Sequence, residues 1–371
     1  MRRGLFARSV IALAALSLLA AACTRNEGGQ DGNQQQGGDA RSLLDTVKER
    51  DTVRCGVNET VPGFGFLNPD SGEIEGFDIE FCKAIAAAVL GDAAKHELVP
   101  ISAEERFSAL RAGNYDVLVR NTTWTSSRDG AEGVAFAHVN FYDGQGMMVA
   151  ADGNFEQVAD MDGANVCVTA GTTTELNLAD YAAQLGISLK PVTFEENPQL
   201  QEAFIAGRCD GWTSDLSQLA GIRSQWPDAE GGPEALTILD DVMSKEPLAP
   251  AVVDGDSKWY DAVNWTVNGL ILAEELGVTS ENVQEMASTP PNPQVGNLLG
   301  APVEDEETGQ SAPFDPGLGL EPTFMVDVIS AVGNYGEIFE RTIGPDTDLG
   351  LERGLNALYT EGGLQYAPPF R

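Results

Sequence analysis

The chain has 371 residues, with 57 acidic and 22 basic side chains and a formal net charge of −35. Long acidic runs are rare, so we interpret this charge as a solvated, strongly acidic surface, which nearly excludes nucleic acid as a partner. About 330 residues lie beyond an atypical N-terminal segment, and this length is enough for two ordinary domains with a proper core.

The N-terminal segment predicts export from the cytoplasm. Arg2 and Arg3 precede an apolar run at residues 10–19, and three alanines lead into Cys23, as in a signal peptide. The apolar run is too short to span a bilayer. We therefore interpret residues 1–22 as a signal peptide and Cys23 as the lipidated new N-terminus, with ordinary cleavage before this cysteine as the alternative.

Residues 23–40 follow as the lipidated cysteine and a predicted disordered tether, composed mainly of Gly, Gln, Asn and Asp. A segment with almost no apolar side chains cannot bury enough surface to fold. We expect it to hold a globular body, lipid-anchored, in the periplasm or at the outer face of the cytoplasmic membrane.

The first half of the body alternates strands and helices. Residues 52–57 alternate like a strand, the Gly- and Pro-rich residues 61–76 indicate a loop, and Asp78 is predicted to cap the helix that follows. Apolar residues recur at helical spacing over 81–90, and after a second helix residues 116–119 form the next strand. This order predicts a parallel sheet with helices on its faces.

The second half repeats this order. Residues 165–169 read as a strand, 197–207 as a helix and 209–213 as the next strand. Residues 110–116 and 204–210 each place a helix end, an Ala-Gly stop and an aspartate before a strand. The repetition suggests two similar α/β lobes, and such folds bind ligands at the carboxyl ends of their strands.

Four cysteines remain in the body, and four thiols allow three pairings. An exported protein meets oxidising conditions, although buried free thiols are the alternative. Cys55 is predicted to share a strand face with apolar residues and Cys82 a helix face, so both could point into one core. We therefore hypothesise Cys55 to Cys82 and Cys167 to Cys209 disulfides.

Polar loops at strand ends are the candidate binding segments. Residues 120–128 are dense in hydroxyls and amides and end at Arg128, whose guanidinium can grip a carboxylate through two parallel hydrogen bonds. Residues 171–175 open a helix, where free N–H groups favour an anion. The alternative for both loops is a simple helix cap.

Asp215 supplies the complementary charge. It comes directly after a predicted strand, where its carboxylate could accept a hydrogen bond from a cationic amine or, alternatively, cap the next helix. Arg128 and Asp215 together offer donors for a carboxylate and an acceptor for an ammonium group. Their combination predicts a receptor for a zwitterion.

Enzyme motifs are absent from the sequence. His96 and His138 are the only histidines, so a histidine-based triad or a metal site lacks parts. No P-loop, nucleophile elbow or dinucleotide fingerprint is present. We expect no catalytic residue, no metal and no cofactor.

Eight stretches of the body match a known family of proteins: residues 54–58, 76–78, 120–128, 142–146, 172–181, 244–248, 333–341 and 362–369. In these stretches the chain resembles the general L-amino-acid-binding proteins of polar amino-acid ABC importers, within the family 3 solute-binding proteins. The resemblance covers nearly everything beyond the tether.

The resemblance implies an α/β fold of the periplasmic-binding-protein type II class, with two lobes joined by a hinge, each a mainly parallel sheet flanked by helices. Lobe 1 would comprise residues 41–149 and, after the chain returns, residues 246–371 with a C-terminal extension. Lobe 2 would comprise residues 150–245. The segment at residues 301–316 is longer and more acidic than the corresponding segment usually is in this family.

Site residues follow from the resemblance where the motifs match. Arg128 would bind the α-carboxylate of an amino acid, helped by Thr123 and Asn121, with Thr172 or Thr173 adding donors from lobe 2.

The remaining ligand contacts are implied in the same way. Asp215 would hold the α-ammonium group. Specificity in this class comes largely from the loop after the first strand, so Asn58 and Phe64 are the candidates for contacting the ligand side chain. Many relatives have an aromatic side chain near the position of Val61, where this chain departs from the pattern.

The implied function is the extracytoplasmic substrate-binding component of an amino-acid ABC transporter. It would be a monomer that captures L-amino acids between two lobes and delivers them to permease subunits in the membrane. Two other functions use related folds: a receptor whose closed form signals to a partner, and a dehydratase-type enzyme, which would need a general acid in the cleft.

Overall fold

The computed structural model describes residues 41–304 and 311–371. The predicted signal peptide, the lipidation at Cys23 and the tether lie outside these described residues.

The strands of the described residues are short, and most belong to two sheets. They are β1 (Val53–Val57), β2 (Thr60–Val61), β3 (Gly65–Leu67), β4 (Ile74–Glu75), β5 (His96–Pro100), β6 (Val117–Leu118), β7 (Val134–Phe136), β8 (Phe141–Ala150), β9 (Asn165–Thr169), β10 (Lys190–Phe194), β11 (Gly211–Asp215), β12 (Leu236–Ile238), β13 (Ser244–Leu248), β14 (Ala251–Val253), β15 (Pro302–Glu304) and β16 (Ser311–Pro313).

Helices alternate with these strands and continue after them toward the C-terminus. They are α1 (Leu43–Arg50), α2 (Phe77–Leu90), α3 (Arg106–Arg111), α4 (Ser126–Ala131), α5 (Thr173–Leu185), α6 (Asn197–Ile205), α7 (Leu216–Ser224), α8 (Ser257–Glu275), α9 (Val283–Ser288), α10 (Pro293–Leu298), α11 (Phe324–Val332) and α12 (Tyr335–Thr342). Short 3-10 turns are at Val158–Met161, Asp228–Glu230, Pro233–Ala235, Gly354–Asn356 and Tyr359–Glu361.

Lobe 1 is built on a sheet with the strand order β5-β1-β6-β14-β7. Strand β1 pairs in parallel with β5 and β6, whereas β14 is antiparallel to its neighbours. Helix α2 is apolar almost all round, and its fully buried Phe77 and Phe81 share the core with Trp259 of α8, as expected for a helix covered on several sides.

Lobe 2 is built on a second sheet with the order β10-β9-β11-β8-β12, and β13 also pairs with β8. Strand β9 is parallel to β10 and β11, whereas β8 runs antiparallel to β11. Trp212 and Phe204 lie in its core. The predicted two-lobed α/β fold is therefore confirmed, with antiparallel strands added to each parallel core.

Two neighbouring strands connect the lobes. Strand β7 in the lobe 1 sheet leads into β8, and β13 leads back to β14 of lobe 1. Strands β8 and β13 pair antiparallel, with Phe141 opposite Leu248 and Gln145 opposite Ser244. We refer to β13 and residues 141–145 of β8 as the hinge strands.

Two local predictions were wrong. Residues 61–76 were expected to be a loop, yet they contain the end of β2 and the whole of β3 and β4, which pair as a three-stranded sheet. Asp78 was expected to cap α2, but the cap position is Gly76. The buried Asp78 carboxylate instead accepts a hydrogen bond from the backbone N–H of Asn121 at 2.6 Å, and burial raises its pKa to about 7.

Both hypothesised disulfides are confirmed. Cys55 of β1 is bonded to Cys82 of α2, with Cα atoms 6.2 Å apart. Cys167 of β9 is bonded to Cys209 beside β11, with Cα atoms 5.6 Å apart. Each bond thus joins a central strand to a neighbouring segment inside one lobe, so neither restrains the lobes relative to each other.

Candidate functional site

A polar cavity lies between the lobes, where the loops after β6, β9 and β11 meet. Its lining residues come from both lobes. They are Asn58, Ala103, Arg106, Arg120, Asn121, Thr123, Arg128, Thr169, Thr172, Thr173, Thr174, Glu196, Asn197, Ser214, Asp215 and Gln218.

Arg128 lies in the first turn of α4 and reaches the cavity. The hydroxyl of Thr125 caps this helix by accepting a hydrogen bond from the Arg128 N–H. The Arg128 guanidinium donates from Nη1 to the carbonyl oxygen of Thr123 at 2.9 Å. Burial lowers its pKa, against the opposing effect of nearby carboxylates. The two alternatives for this loop therefore both occur: Thr125 caps α4, and Arg128 lines the cavity.

Two further arginines line the same wall of lobe 1. Arg106 of α3 and Arg120 after β6 are 3 % and 5 % exposed, and burial lowers the pKa of both. Arg120 donates from Nε to Ile101 at 2.7 Å. Arg106 donates from Nη2 to the carbonyl of Gly171 in lobe 2 at 3.1 Å, while its buried Nε has no partner among the described residues.

The wall formed by lobe 2 contains two carboxyl groups. Asp215 ends β11 and is buried, and burial together with Asp143 and Glu246 raises its pKa well above the ordinary value. Although Asp215 occupies the cap position of α7, its side chain makes no capping hydrogen bond. Glu196 adds a second carboxylate, whose pKa burial also raises. The cleft thus has guanidinium groups on one wall and carboxyl groups on the other.

Threonines from both lobes meet at the inner end of the cleft. Thr123 of lobe 1 and Thr173 of lobe 2 place their Oγ1 atoms 3.4 Å apart. Both hydroxyls can donate to Oε2 of Glu246, at 2.6 and 2.7 Å. Thr172 differs, because its hydroxyl accepts from the Glu175 N–H and so caps α5.

Amide side chains link the lobes along the cavity floor. Asn58 donates to Asn121 Oδ1 at 3.3 Å, and Asn121 donates to Gln218 Oε1 of α7 at 3.3 Å. Asn121 adopts φ 31°, a left-handed conformation uncommon outside glycine. Asn197 of α6 also crosses the cleft, donating to Thr60 Oγ1 at 3.2 Å. These cross-lobe bonds describe a closed arrangement.

The structure brings the predicted site residues together with the exception of Phe64. The Phe64 ring is 1 % exposed and packs in the lobe 1 core, with ring centroids 5.6 Å from Phe77 and 5.1 Å from Phe141. Aromatic neighbours on α2 and β8 hold it away from the cavity, which leaves Asn58 as the lining residue from that loop.

Several lining residues were missed by sequence reasoning. Arg106 and Glu196 each lie at or just before a helix start, a place where polar side chains are ordinary and give no signal. Gln218 lies inside α7 and Ser214 within β11. The strand-to-helix junction at Asp215 was the one available signal for Ser214, its immediate neighbour.

Chemistry other than binding has little support within the part of the chain that the structure describes. No group of three or more His, Cys, Asp or Glu side chains there could hold a metal ion. Neither His96 nor His138 lines the cavity. No described helix is long and apolar enough to cross a membrane.

Comparisons with known proteins agree with this geometry. The general L-amino acid-binding periplasmic protein AapJ of Rhizobium johnstonii is 48% identical, over 89% of this chain and 93% of its own length. The glutamate/glutamine/aspartate/asparagine-binding protein BztA of Rhodobacter capsulatus is 45% identical, over 90% of this chain and 95% of its own length.

A solved structure is similar over the same extent. A periplasmic binding protein of an ABC transporter from Brucella ovis, with glutathione bound, shares 44% identity at a TM-score of 0.82, covering 89% of this chain and 100% of its own. Residues 53–282 match the family model described as bacterial extracellular solute-binding proteins, family 3. The chain therefore belongs to the family 3 bacterial extracellular solute-binding proteins.

Proposed function

We propose that this protein captures L-amino acids outside the cytoplasm and delivers them to the permease of an ABC importer. The observation that carries the proposal is the charge separation across the cleft. Arg128 lies on the wall of lobe 1 and Asp215 on the wall of lobe 2, both lining one cavity. An α-carboxylate and an α-ammonium group on one carbon match these two charges.

The names of the relatives support an amino-acid ligand. AapJ is named for general L-amino acid binding, and BztA for glutamate, glutamine, aspartate and asparagine. The Brucella ovis structure holds glutathione, whose γ-glutamyl residue carries a free α-ammonium and a free α-carboxylate group. These ligands share the zwitterionic head group for which the cleft is charged.

The protein would capture its ligand by closing the two lobes around it. Because the binding residues are divided between the lobes, a closed cleft makes contacts with the ligand that an open cleft cannot make. The ligand therefore shifts the population toward the closed form. We propose that the permease recognises this form, and that the protein acts as a monomer held to the membrane by a lipid at Cys23.

A thermal-shift panel of free amino acids tests the proposed function. A ligand that binds only the folded state adds about 2.7 kcal/mol of stability when its concentration is one hundred times Kd. We expect the melting temperature to rise with L-amino acids and to stay unchanged with their D-enantiomers. A panel in which no amino acid raises it would refute the proposal.

We further propose that the cleft favours ligands with a second carboxylate. Arg106, Arg120 and Arg128 all belong to the wall of lobe 1, and the α-carboxylate of the ligand needs only one of them. Arg106 forms no ion pair among the described residues. A buried cation without an anionic partner is costly, so an acidic ligand side chain would stabilise it.

Arg106→Gln is expected to weaken the binding of L-glutamate by at least about tenfold, the value of one charge-assisted hydrogen bond, and to change L-glutamine binding much less. Calorimetry with the two ligands measures this difference. Arg111→Gln is the matched control, because Arg111 ends the same helix, is exposed and pairs with Glu132. Equal losses for both ligands would contradict the proposed role of Arg106.

A further inference from the structure

We infer that Glu246 is a positioning residue that fastens the first turn of α5 to lobe 1 and thereby orients the carboxylate-binding groups of the cleft. This inference rests on the proposed function, since it concerns how that site is held. Glu246 lies in the middle of the hinge strand β13, and it does not line the cavity itself.

The carboxylate of Glu246 is 1 % exposed and accepts hydrogen bonds at both oxygens. Oε2 accepts from the hydroxyls of Thr123 and Thr173, at 2.6 and 2.7 Å. Oε1 accepts from Asn177 Nδ2 at 2.9 Å and from the hydroxyl of Ser244. Four donors on three different segments of the chain therefore converge on one side chain.

These donors divide between the two lobes in an informative way. Thr173 and Asn177 are four residues apart on α5, so they lie on one face of the helix, a turn from each other. Thr123 belongs to the loop of lobe 1 whose carbonyl accepts from Arg128. Glu246 consequently fixes both the position and the direction of the start of α5 relative to Arg128.

The start of α5 matters because Thr173 is its first residue, with a backbone N–H that has no partner inside the helix. This N–H group and the Arg128 guanidinium can approach one ligand carboxylate from opposite lobes. The hydroxyl groups of Thr123 and Thr173 donate to Glu246, which fixes these two side chains. The backbone N–H of Thr173 then stays available to donate to the ligand carboxylate.

A simple structural role explains Glu246 less well. A buried carboxylate is costly to desolvate, and among the described residues Glu246 has no ion-pair partner. Apolar or amide side chains would fill a strand position at lower cost. A side chain that accepts from four donors is what the chain needs at this position if it must hold hydroxyl groups in fixed orientations.

Glu246→Gln tests the inference, because the amide keeps the size but cannot accept from all four donors. We expect the Kd for L-glutamate and L-glutamine to rise by at least about tenfold for both ligands alike, since the change acts on the common α-carboxylate. Asp256→Asn is the control. Asp256 is a hydrogen-bonded carboxylate that caps α8 and does not line the cavity, so its loss should lower the melting temperature and leave Kd unchanged.

A double-mutant cycle with Thr173 separates positioning from general support. If Glu246 acts through this threonine, Thr173→Val should weaken binding in the wild-type background and add little in the Glu246→Gln background. Additive losses would overturn the inference. Thr173→Ser keeps the hydroxyl and should bind like the wild type, whereas Thr173→Val should bind more weakly. Equal binding by the serine and valine variants would overturn the inference even if Glu246→Gln does not fold.

The same measurements distinguish the inference from the proposed function. Wild-type binding that Glu246→Gln leaves intact overturns the role of Glu246 alone. A wild-type chain that binds neither L-glutamate nor L-glutamine overturns the inference, and the broader panel of amino acids then decides whether the proposed function fails with it.

Discussion

Arg128→Ala is expected to weaken L-amino acid binding by on the order of a hundredfold or more. The guanidinium lies in a largely buried position, lines the cavity and is held by the Thr123 carbonyl. Removing one member of a buried ion pair leaves the other charge unpaired and costs about 3–5 kcal/mol, and about 1.4 kcal/mol corresponds to a tenfold change in Kd. Isothermal titration calorimetry gives this loss directly.

Two further variants sharpen the prediction. Arg128→Lys keeps the charge but loses the planar pair of donors, so its affinity should lie between those of the wild type and the alanine variant. Arg208→Ala removes an exposed arginine whose guanidinium lies over the Phe194 ring, outside the cavity, and should bind normally. Unchanged affinity in Arg128→Ala would remove Arg128 from the site.

The sequence was sufficient to predict the alternation of strands and helices and to find Arg128 and Asp215, which line one cavity. Arg128 and Asp215 could be found because each comes after a strand that the sequence pattern predicts, and α/β folds bind ligands at the carboxyl ends of their strands. The number of residues between Arg128 and Asp215 does not matter, since the fold brings the carboxyl ends of these strands to the same cleft.

Contacts that depend on the closed cleft could not be predicted in this way. Arg106 begins an ordinary amphipathic helix, and its burial depends on Gly171, which lies 65 residues away on the other lobe. The residues next to Arg106 in the sequence do not indicate that Gly171 will lie against its guanidinium. Glu246 was recognised only as part of a family motif, because its four donors come from separate segments.

The prediction of a loop at residues 61–76 was wrong for a different reason. Strands of two or three residues, such as β2 and β4, are too short to show alternation. Phe64 was proposed as a contact of the ligand side chain because the resemblance places specificity in the loop after the first strand. The small sheet instead directs this ring against Phe77 and Phe141, where burial of a large apolar surface outweighs any ligand contact.

Gly221→Ala is expected to weaken ligand binding by about tenfold or more without destabilising the ligand-free protein. A Cβ atom at Gly221 of α7 would lie 2.5 Å from the carbonyl oxygen of Pro62 in lobe 1. Neither the added Cβ atom nor the backbone carbonyl oxygen can rotate away as the end of a long side chain could. The lobes would therefore have to stop short of full closure. An incomplete closure separates the lobe 2 ligand contacts from those of lobe 1, and about 1.4 kcal/mol of lost interaction is a factor of ten in Kd.

The sign of the stability change makes this prediction specific. Alanine favours a helix interior over glycine by about 1 kcal/mol, and an open cleft relieves the contact with Pro62. The melting temperature of the ligand-free variant should therefore stay level or rise while the affinity falls. Gly130→Ala is the matched control, because Gly130 also lies within a helix and its added Cβ meets nothing within 4 Å. If Gly221→Ala binds L-amino acids as tightly as Gly130→Ala, the contact between α7 and Pro62 does not limit closure.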